Sequence, residues 1–307
     1  MTEALTRLVA AELAEPIEPR AAALAAAVAA RYPGAARGVL FYGSCLRESQ
    51  LDGLMLDFYL IVSDYQAAYG GGWLAAANRL VPPNVFPFEA DGLAAKYAVL
   101  SEADFARLTG VEADNVSVWA RFAQPVRLAW VADDAARDAV IAAVSEAVVT
   151  LFQLTIPMLT SGTDYGALDI WKRGFELTYA AELRAERAGR GRSIIDFDPA
   201  RYEAFAMAAM AEIARRQGVG VQGQVANHAS PDAMQRRWRK MQRRGKRLTL
   251  LRLAKASATF AGGIDYLAWK INRHAGTAIE IKPWQRRWPI LGAITLLPRL
   301  LAGGAVR

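Results

Sequence analysis

Two short stretches of this chain combine residue types suited to phosphate chemistry. Phe41-Tyr42-Gly43-Ser44-Cys45-Leu46-Arg47 ends an apolar run in a Gly-Ser turn, and Met55-Leu56-Asp57-Phe58-Tyr59-Leu60-Ile61-Val62 opens a second apolar run with a carboxylate. Backbone N–H groups of a Gly-Ser turn at a helix start can cradle phosphate oxygens. A carboxylate at the head of the next strand can hold the divalent metal that neutralises a pyrophosphate leaving group. Together they point to transfer of a nucleotide. Asp52, in the intervening loop, is a further candidate acid.

These residues need a sheet to position them. Gly38 to Tyr42 reads as a short apolar strand, and Leu56 to Val62 as a buried one. Ala94 to Ser101 reads as a third strand and Pro125 to Val131 as a fourth. Residues 3–31 read as one or two helices broken near Pro16 and Pro19. Ser44 to about Gln50 reads as a helix start or a loop. A helix is expected within 65–80, with Gly70-Gly71-Gly72 arguing for a break, and Pro82, Pro83 and Pro87 mark a loop. From Ala135 the pattern changes to long Ala/Leu-rich segments at helical spacing over 135–158, 165–188, 199–217 and 231–259. The expected fold class is α+β, with boundaries at 1–134 for a mixed sheet flanked by helices, 135–275 for an all-helical domain and 276–307 for an amphipathic C-terminal segment.

Composition narrows the classes. The chain has 307 residues, 53% of them hydrophobic, and a single cysteine, Cys45. That excludes a disulfide framework and a cysteine-based zinc site, and fits a reducing compartment. The net charge of +7 hides an asymmetry: residues 1–150 carry 11 Lys/Arg against 18 Asp/Glu, residues 151–307 carry 26 against 12. The acidic half suits a metal site. The basic half suits phosphate, nucleic acid or anionic lipid. Early acids such as Glu3 and Glu12 argue against a signal peptide. No uninterrupted apolar run reaches about 18 residues, so no spanning helix is expected.

The order apolar residue, Gly-Ser, spacer, acid-x-acid resembles the pattern of the nucleotidyltransferase superfamily. Asp57 stands at the second acid, and Met55 stands where the first would be. One family in that superfamily shares the departure: the soluble-type phosphatidate cytidylyltransferases, or CDP-diacylglycerol synthases, of mitochondria and some bacteria. The chain is similar to it in four ordered blocks: Tyr42-Gly43-Ser44, Met55-Leu56-Asp57-Phe58, Lys96-Tyr97-Ala98-Val99-Leu100-Ser101, and Ala120-Arg121-Phe122-Ala123-Gln124-Pro125-Val126. The later half is similar only loosely. The resemblance implies a nucleotidyltransferase-like sheet and a Mg²⁺-dependent reaction of CTP with phosphatidate, giving CDP-diacylglycerol and pyrophosphate. It implies Asp57 and Lys96 as catalytic groups, Asp57 also as metal anchor, and Tyr42, Gly43, Ser44 and Arg121 as nucleotide or phosphate binders. Ser44 is expected to bind phosphate rather than attack it. His228 and His274 read as non-catalytic.

A lysine on a buried strand needs an anionic partner or loses its proton. Lys96 is therefore either a snorkelling strand-edge residue or a ligand for triphosphate or phosphatidate. Arg121 is either a surface salt bridge or a bidentate phosphate clamp. In the helical half, Lys172, Glu176 and Tyr179 share a face that continues through Glu182 and Glu186. It reads as a solvated face or as a wall closing over nucleotide, in which case Arg173, Glu176 and Glu182 are candidate ligands. Trp171, Phe175 and Tyr179 read as a core stripe.

Ten basic residues between Arg236 and Lys255, Arg252 among them, form a cluster suited to polyanions or anionic lipid. The tail carries Trp284, Arg286, Arg287 and Trp288 beside a short apolar stretch, which suits a segment lying in a membrane interface. The expected location is peripheral, on the cytoplasmic side of a membrane. Two alternatives stay open: a nucleotidyltransferase acting on RNA or a small molecule, and a catalytically silent membrane-bound scaffold, which Met55 keeps alive. The tail and Met55 make nucleic acid the disfavoured partner.

Overall fold

Strands β1 (Ala36–Tyr42), β2 (Met55–Val62), β3 (Asn84–Ala90), β4 (Leu93–Ser101) and β5 (Val126–Val131) form one mixed sheet in the order β3-β4-β2-β1-β5. The β2–β4 pair is parallel and the other pairs are antiparallel. The computed structural model describes residues 1–48, 50–159, 165–182, 190–218, 230–259 and 280–287.

Helices α1 (Glu3–Ala14) and α2 (Pro19–Ala30) are separated at Pro16 and Pro19, as their sequence predicts. The region after β2 holds α3 (Tyr65–Tyr69) and α4 (Trp73–Leu80), broken at the glycine triplet, where all three glycines take positive φ. α5 (Glu102–Thr109) and α6 (Trp119–Phe122) follow β4. The helical half comprises α7 (Asp134–Thr155), α8 (Ala167–Ala181), α9 (Arg190–Phe197), α10 (Pro199–Gln217), α11 (Pro231–Thr259) and α12 (Pro283–Arg287). One sequence expectation is corrected: the proline-marked loop at 84–90 is strand β3. Pro87 is tolerated because β3 is an edge strand, where a missing N–H need not break a ladder.

The two faces of the sheet follow the period-2 alternation of its strands. Val39, Phe41, Leu56, Phe58, Leu60, Ala95, Tyr97 and Val99 pack with α2 in one cluster. Leu40, Tyr59, Ile61, Ala98 and Leu100 face the other way, into a larger cluster with α1, α5, α6 and α7. That cluster continues without a break through α8, α10 and α11, so the sheet and the helical half share one core across residue 135. Trp171 and Phe175 are fully buried in it, as the stripe at helical spacing predicts. Each such side chain contributes roughly 1.5–3 kcal/mol by leaving water.

Helix α7 with its extension, Asp134–Met158, is among the described residues the one helix long and apolar enough to cross a membrane. Its most apolar window is 72% buried inside the molecule. Its start is fixed by Asp133, which accepts a hydrogen bond from the Ala136 amide and pairs with Arg37 at 2.7 Å. Arg37 also holds Glu102 at 3.0 Å, tying the starts of α5 and α7 to β1.

Two close approaches set the helix layout. A Cβ on Gly174 would lie 2.7 Å from Leu151 Cδ2 and 2.9 Å from Thr155 Oγ1, so α7 and α8 pack at a distance only glycine permits. A Cβ on Gly245 would collide with the Ala181 carbonyl oxygen, so α11 crosses the C-terminal end of α8 at that glycine. Arg244 meets Asp114 at 2.7 Å, and the Trp238 indole donates to the Leu154 carbonyl at 2.8 Å, holding the first part of α11 to the body.

Candidate functional site

The strand register lines up a row across the sheet. Val126 of β5 pairs with Tyr42 of β1, Tyr42 with Asp57 of β2, Asp57 with Lys96 of β4, and Lys96 with Pro87 of β3. Parity puts Tyr42, Asp57 and Lys96 on the same face, opposite α2. Lys96 Nζ lies 3.0 Å from Asp57 Oδ1. The anionic partner that a lysine on this strand requires is thus Asp57. Lys96 is 37% exposed and Asp57 23%, so ligands reach both. A pair this accessible contributes under about 1 kcal/mol to the fold.

Gly43 has φ +94, and a Cβ there would stand 3.4 Å from Asp57 Oδ2. The turn therefore lies against one carboxylate oxygen while Lys96 takes the other. Ser44 opens a short 3-10 turn, Ser44–Arg47, and is exposed. The Cys45 thiol donates toward the Met55 carbonyl at 3.6 Å, closing the loop between β1 and β2. Burial, then the Asp57 charge, raises the Cys45 pKa, so it stays a thiol.

Arg121 comes from α6. Its guanidinium lies 5.0 Å from the centre of the Tyr42 ring and 5.8 Å from that of Tyr59, and Nη1 donates to the Tyr59 hydroxyl at 3.2 Å. It is half-buried against these two rings. Phe122 buttresses the same rings, 6.4 Å from Tyr42 and 5.0 Å from Tyr59. Burial works against the Arg121 charge, but Tyr42, Tyr59, Glu182 and Asp57 outweigh it and raise its pKa. The Tyr42 hydroxyl is held well above its ordinary pKa, first by burial; Arg121 opposes that and Asp57, to which it hydrogen-bonds, adds to it. Tyr42 is a protonated donor to Asp57.

The remaining sequence candidates divide. Glu182, at the end of α8, acts on both Arg121 and Arg252 and so belongs to this cluster. Arg173 and Glu176 pair with each other at 3.4 Å on α8. Asp52 is gripped by Arg20 at 3.0 and 3.3 Å on the surface, an ion pair that accounts for its carboxylate. Trp284 is exposed on α12, which also contains Arg286 and Arg287. Trp288, Glu186, His228 and His274 lie outside the described residues.

Sequence reasoning did not place three groups here. Tyr59 lies two residues beyond Asp57, and strand parity alone would have put it on the same face. Arg252 and Lys255 were read only as part of a basic run. Arg252 Nε donates to the Pro82 carbonyl at 2.8 Å, and Lys255 Nζ donates to the Val81 carbonyl. The charged and phenolic groups acting on Arg252 include Tyr59, Glu182 and Arg121, so the end of α11 joins the site.

For a metal, the site offers Asp57, with Met55 in place of a second acid. Among the described residues no group of three or more His, Cys, Asp or Glu gathers to hold an ion. This donor set fits Mg²⁺ that arrives on phosphate oxygens with its waters, taking one carboxylate from the protein. No protein-family model matches the chain, and no curated protein matches it.

Proposed function

We propose that this chain is a phosphatidate cytidylyltransferase: it joins CTP and phosphatidate to give CDP-diacylglycerol and pyrophosphate at a membrane surface. The observation that carries the reading is the in-register row Tyr42–Asp57–Lys96 beside the Gly43-Ser44 turn, with Arg121 over Tyr42. The four sequence blocks that resemble the cytidylyltransferase family converge there. They support the choice of nucleotide and lipid, and the geometry supports phosphate chemistry.

The reaction demands little proton transfer. A phosphomonoester is largely ionised near neutral pH, with a second pKa of about 6. One of its oxygens attacks the α-phosphorus of CTP in line, the bond from α-phosphorus to the bridging oxygen breaks, and pyrophosphate leaves with both electrons. Catalysis then consists of positioning and charge neutralisation. The Gly43-Ser44 backbone receives the triphosphate. Lys96 swings its ammonium between Asp57 and phosphate oxygens, and Arg121 stabilises charge from a fixed, stacked position. Asp57 Oδ2, on the turn side, would hold Mg²⁺, which when bound supplies polarisation of the phosphate oxygens. Trp284 and its basic neighbours support attachment to the lipid surface where phosphatidate resides.

A second reading rests on one observation. Asp57 is paired with Lys96 and has no partner acid at Met55, and among the described residues no group of three or more metal-ligating side chains gathers, which favours a catalytically silent protein. Incubation with labelled CTP, Mg²⁺ and acceptors separates the two. Label in the lipid phase with phosphatidate upholds the proposal, label on RNA assigns a different transferase, and no transfer to any acceptor leaves the silent reading.

A further inference from the structure

Three large apolar side chains stand exposed where α4 meets α11. Trp73 is 56% exposed, Leu80 83% and Leu251 53%. Trp73 and Leu80 are two turns apart on α4 and so share a helix face. α11 brings Leu251 to the same end of α4: Arg252, the next residue, donates through Nε to the Pro82 carbonyl at 2.8 Å, and Lys255 Nζ donates to the Val81 carbonyl, immediately beyond Leu80. The segment that receives them is firmly built. Asn78 Nδ2 donates to the Val99 carbonyl at 2.9 Å, and Asn84 Nδ2 donates to the Leu74 carbonyl at 3.0 Å. Single apolar residues scattered over a surface need no explanation, but a cluster rimmed by charge marks an interaction site.

The rest of α11 supplies that rim. Arg236, Arg239, Lys240, Arg243, Lys246 and Arg247 are exposed, and among the described residues none of the six forms an ion pair. Lys240 and Arg247 lie on the helix face of Leu251, and Arg243 flanks it. α4 adds Arg79 and no acid. The acids around this surface do not cancel it. Asp114 is taken by Arg244 at 2.7 Å, while Asp169 and Glu176 pair with Lys172 and Arg173 within α8. Counting Asp232, Glu89, Glu112 and Glu182 against the six exposed cations and Arg79 leaves the surface positive. Such a face is complementary to an anionic one.

We propose that α4 and the exposed face of α11 form a docking surface for an anionic lipid bilayer, with Trp73, Leu80 and Leu251 entering the headgroup region and Arg243, Lys246 and Arg247 meeting lipid phosphates. A bilayer uses both halves of the surface: an indole settles at headgroup depth, and bases gain from the negative surface potential. A nucleic acid would use the bases and leave the two leucines in water. This surface is separate from the Trp284 helix, and it does not rest on the transfer reading. Arg252 lies within electrostatic reach of Tyr59, Glu182 and Arg121, so a bilayer docked here borders the candidate site.

The test is cosedimentation of the full chain with phosphatidylcholine vesicles, with and without phosphatidylglycerol. Wild type should bind the anionic vesicles and be released by high salt. Arg243→Gln with Lys246→Gln and Arg247→Gln should lower that binding by about tenfold or more. Arg243→Lys with Arg247→Lys should keep it, since a bilayer reads charge, which separates binding from misfolding. Trp73→Ser with Leu80→Ser and Leu251→Ser should also lower it by about tenfold or more, with thermal midpoints checked for every variant. Phe197→Ser with Met207→Ser, at equally exposed apolar positions elsewhere, should change nothing. Brominated lipid should quench wild type more than Trp73→Phe. Wild-type vesicle binding by the charge and apolar variants, with loss only in Trp284→Ser, overturns the proposal. So does an RNA oligomer or a second copy of the chain binding through these residues while wild type ignores the vesicles.

Discussion

Asp57 and Lys96 face each other in register across the parallel β2–β4 pair, with Nζ 3.0 Å from Oδ1. Their strands are adjacent although 38 positions separate the two residues in sequence, because α3, α4 and β3 fill the crossover. The pair contributes little to stability at its exposure, so a pairing this well ordered is available for ligand chemistry.

Lys96→Gln should therefore fold. Its thermal midpoint should stay within a few degrees of wild type, consistent with a pair worth under about 1 kcal/mol. Its turnover should fall by about 100-fold or more, the scale of losing one preorganised charge contact in a transition state. A differential scanning run beside a steady-state assay checks both.

Arg121 is held by ring faces as well as by charge, so lysine is a poor substitute. Arg121→Lys loses the planar contact with Tyr42 and Tyr59 and the hydrogen bond to the Tyr59 hydroxyl. The expected result is a fall in kcat of about tenfold or more with a smaller change in KM for CTP, since the group acts on developing charge.

Gly174→Ala puts a methyl against Leu151 and Thr155 where α8 packs on α7. Overpacking of this kind costs about 1–3 kcal/mol. Urea unfolding should show the loss as a lower midpoint with an unchanged slope.

Legibility in the sequence followed the physics of each element. Strands β1, β2, β4 and β5 are short apolar runs between turn residues, and the α1–α2 break is written in Pro16 and Pro19. Strand β3 was missed because Pro87 argues against a strand everywhere except at an edge, and edge position is a property of the sheet. Asp57 and Lys96 were legible as candidates, and their neighbouring strands were too; that they pair directly required the register. Nothing local to Asp52 announces that Arg20, 32 positions away, takes its carboxylate. Arg252 and Lys255 are indistinguishable by type from their basic neighbours. Their placement comes from the α8–α11 crossing, for which the one sequence sign is Gly245 in an otherwise basic helix.

Lys255 gives the site a pH signature. Burial, reinforced by Arg252, pushes its pKa down to about 7. The unfolded value is higher, about 10.4, so between about pH 7 and pH 10 the unfolded chain binds the extra proton and stability rises with pH. Below about pH 7 the ammonium is charged in both states and contributes no slope. Lys255→Met should flatten the rise in thermal midpoint between pH 7 and pH 9, measured against wild type in the same buffers.

Glu212 titrates in the opposite sense. Arg215 first, then Arg216 and the amino terminus, hold its pKa down to about 2 against the pull of burial. Its stabilisation is present above about pH 4.5 and is lost as pH falls toward 2. Glu212→Gln should lower the thermal midpoint at neutral pH and shrink the acid-unfolding slope.

The central claim is that the Asp57 site moves a cytidylyl group onto a lipid phosphate. The direct measurement is transfer of label from α-labelled CTP into the organic phase, with phosphatidate vesicles and Mg²⁺, for wild type and Asp57→Asn after both are shown to fold. The account predicts labelled CDP-diacylglycerol with wild type and a loss of about 100-fold or more with Asp57→Asn. Equal transfer by the two proteins, or no labelled lipid with wild type, would contradict it.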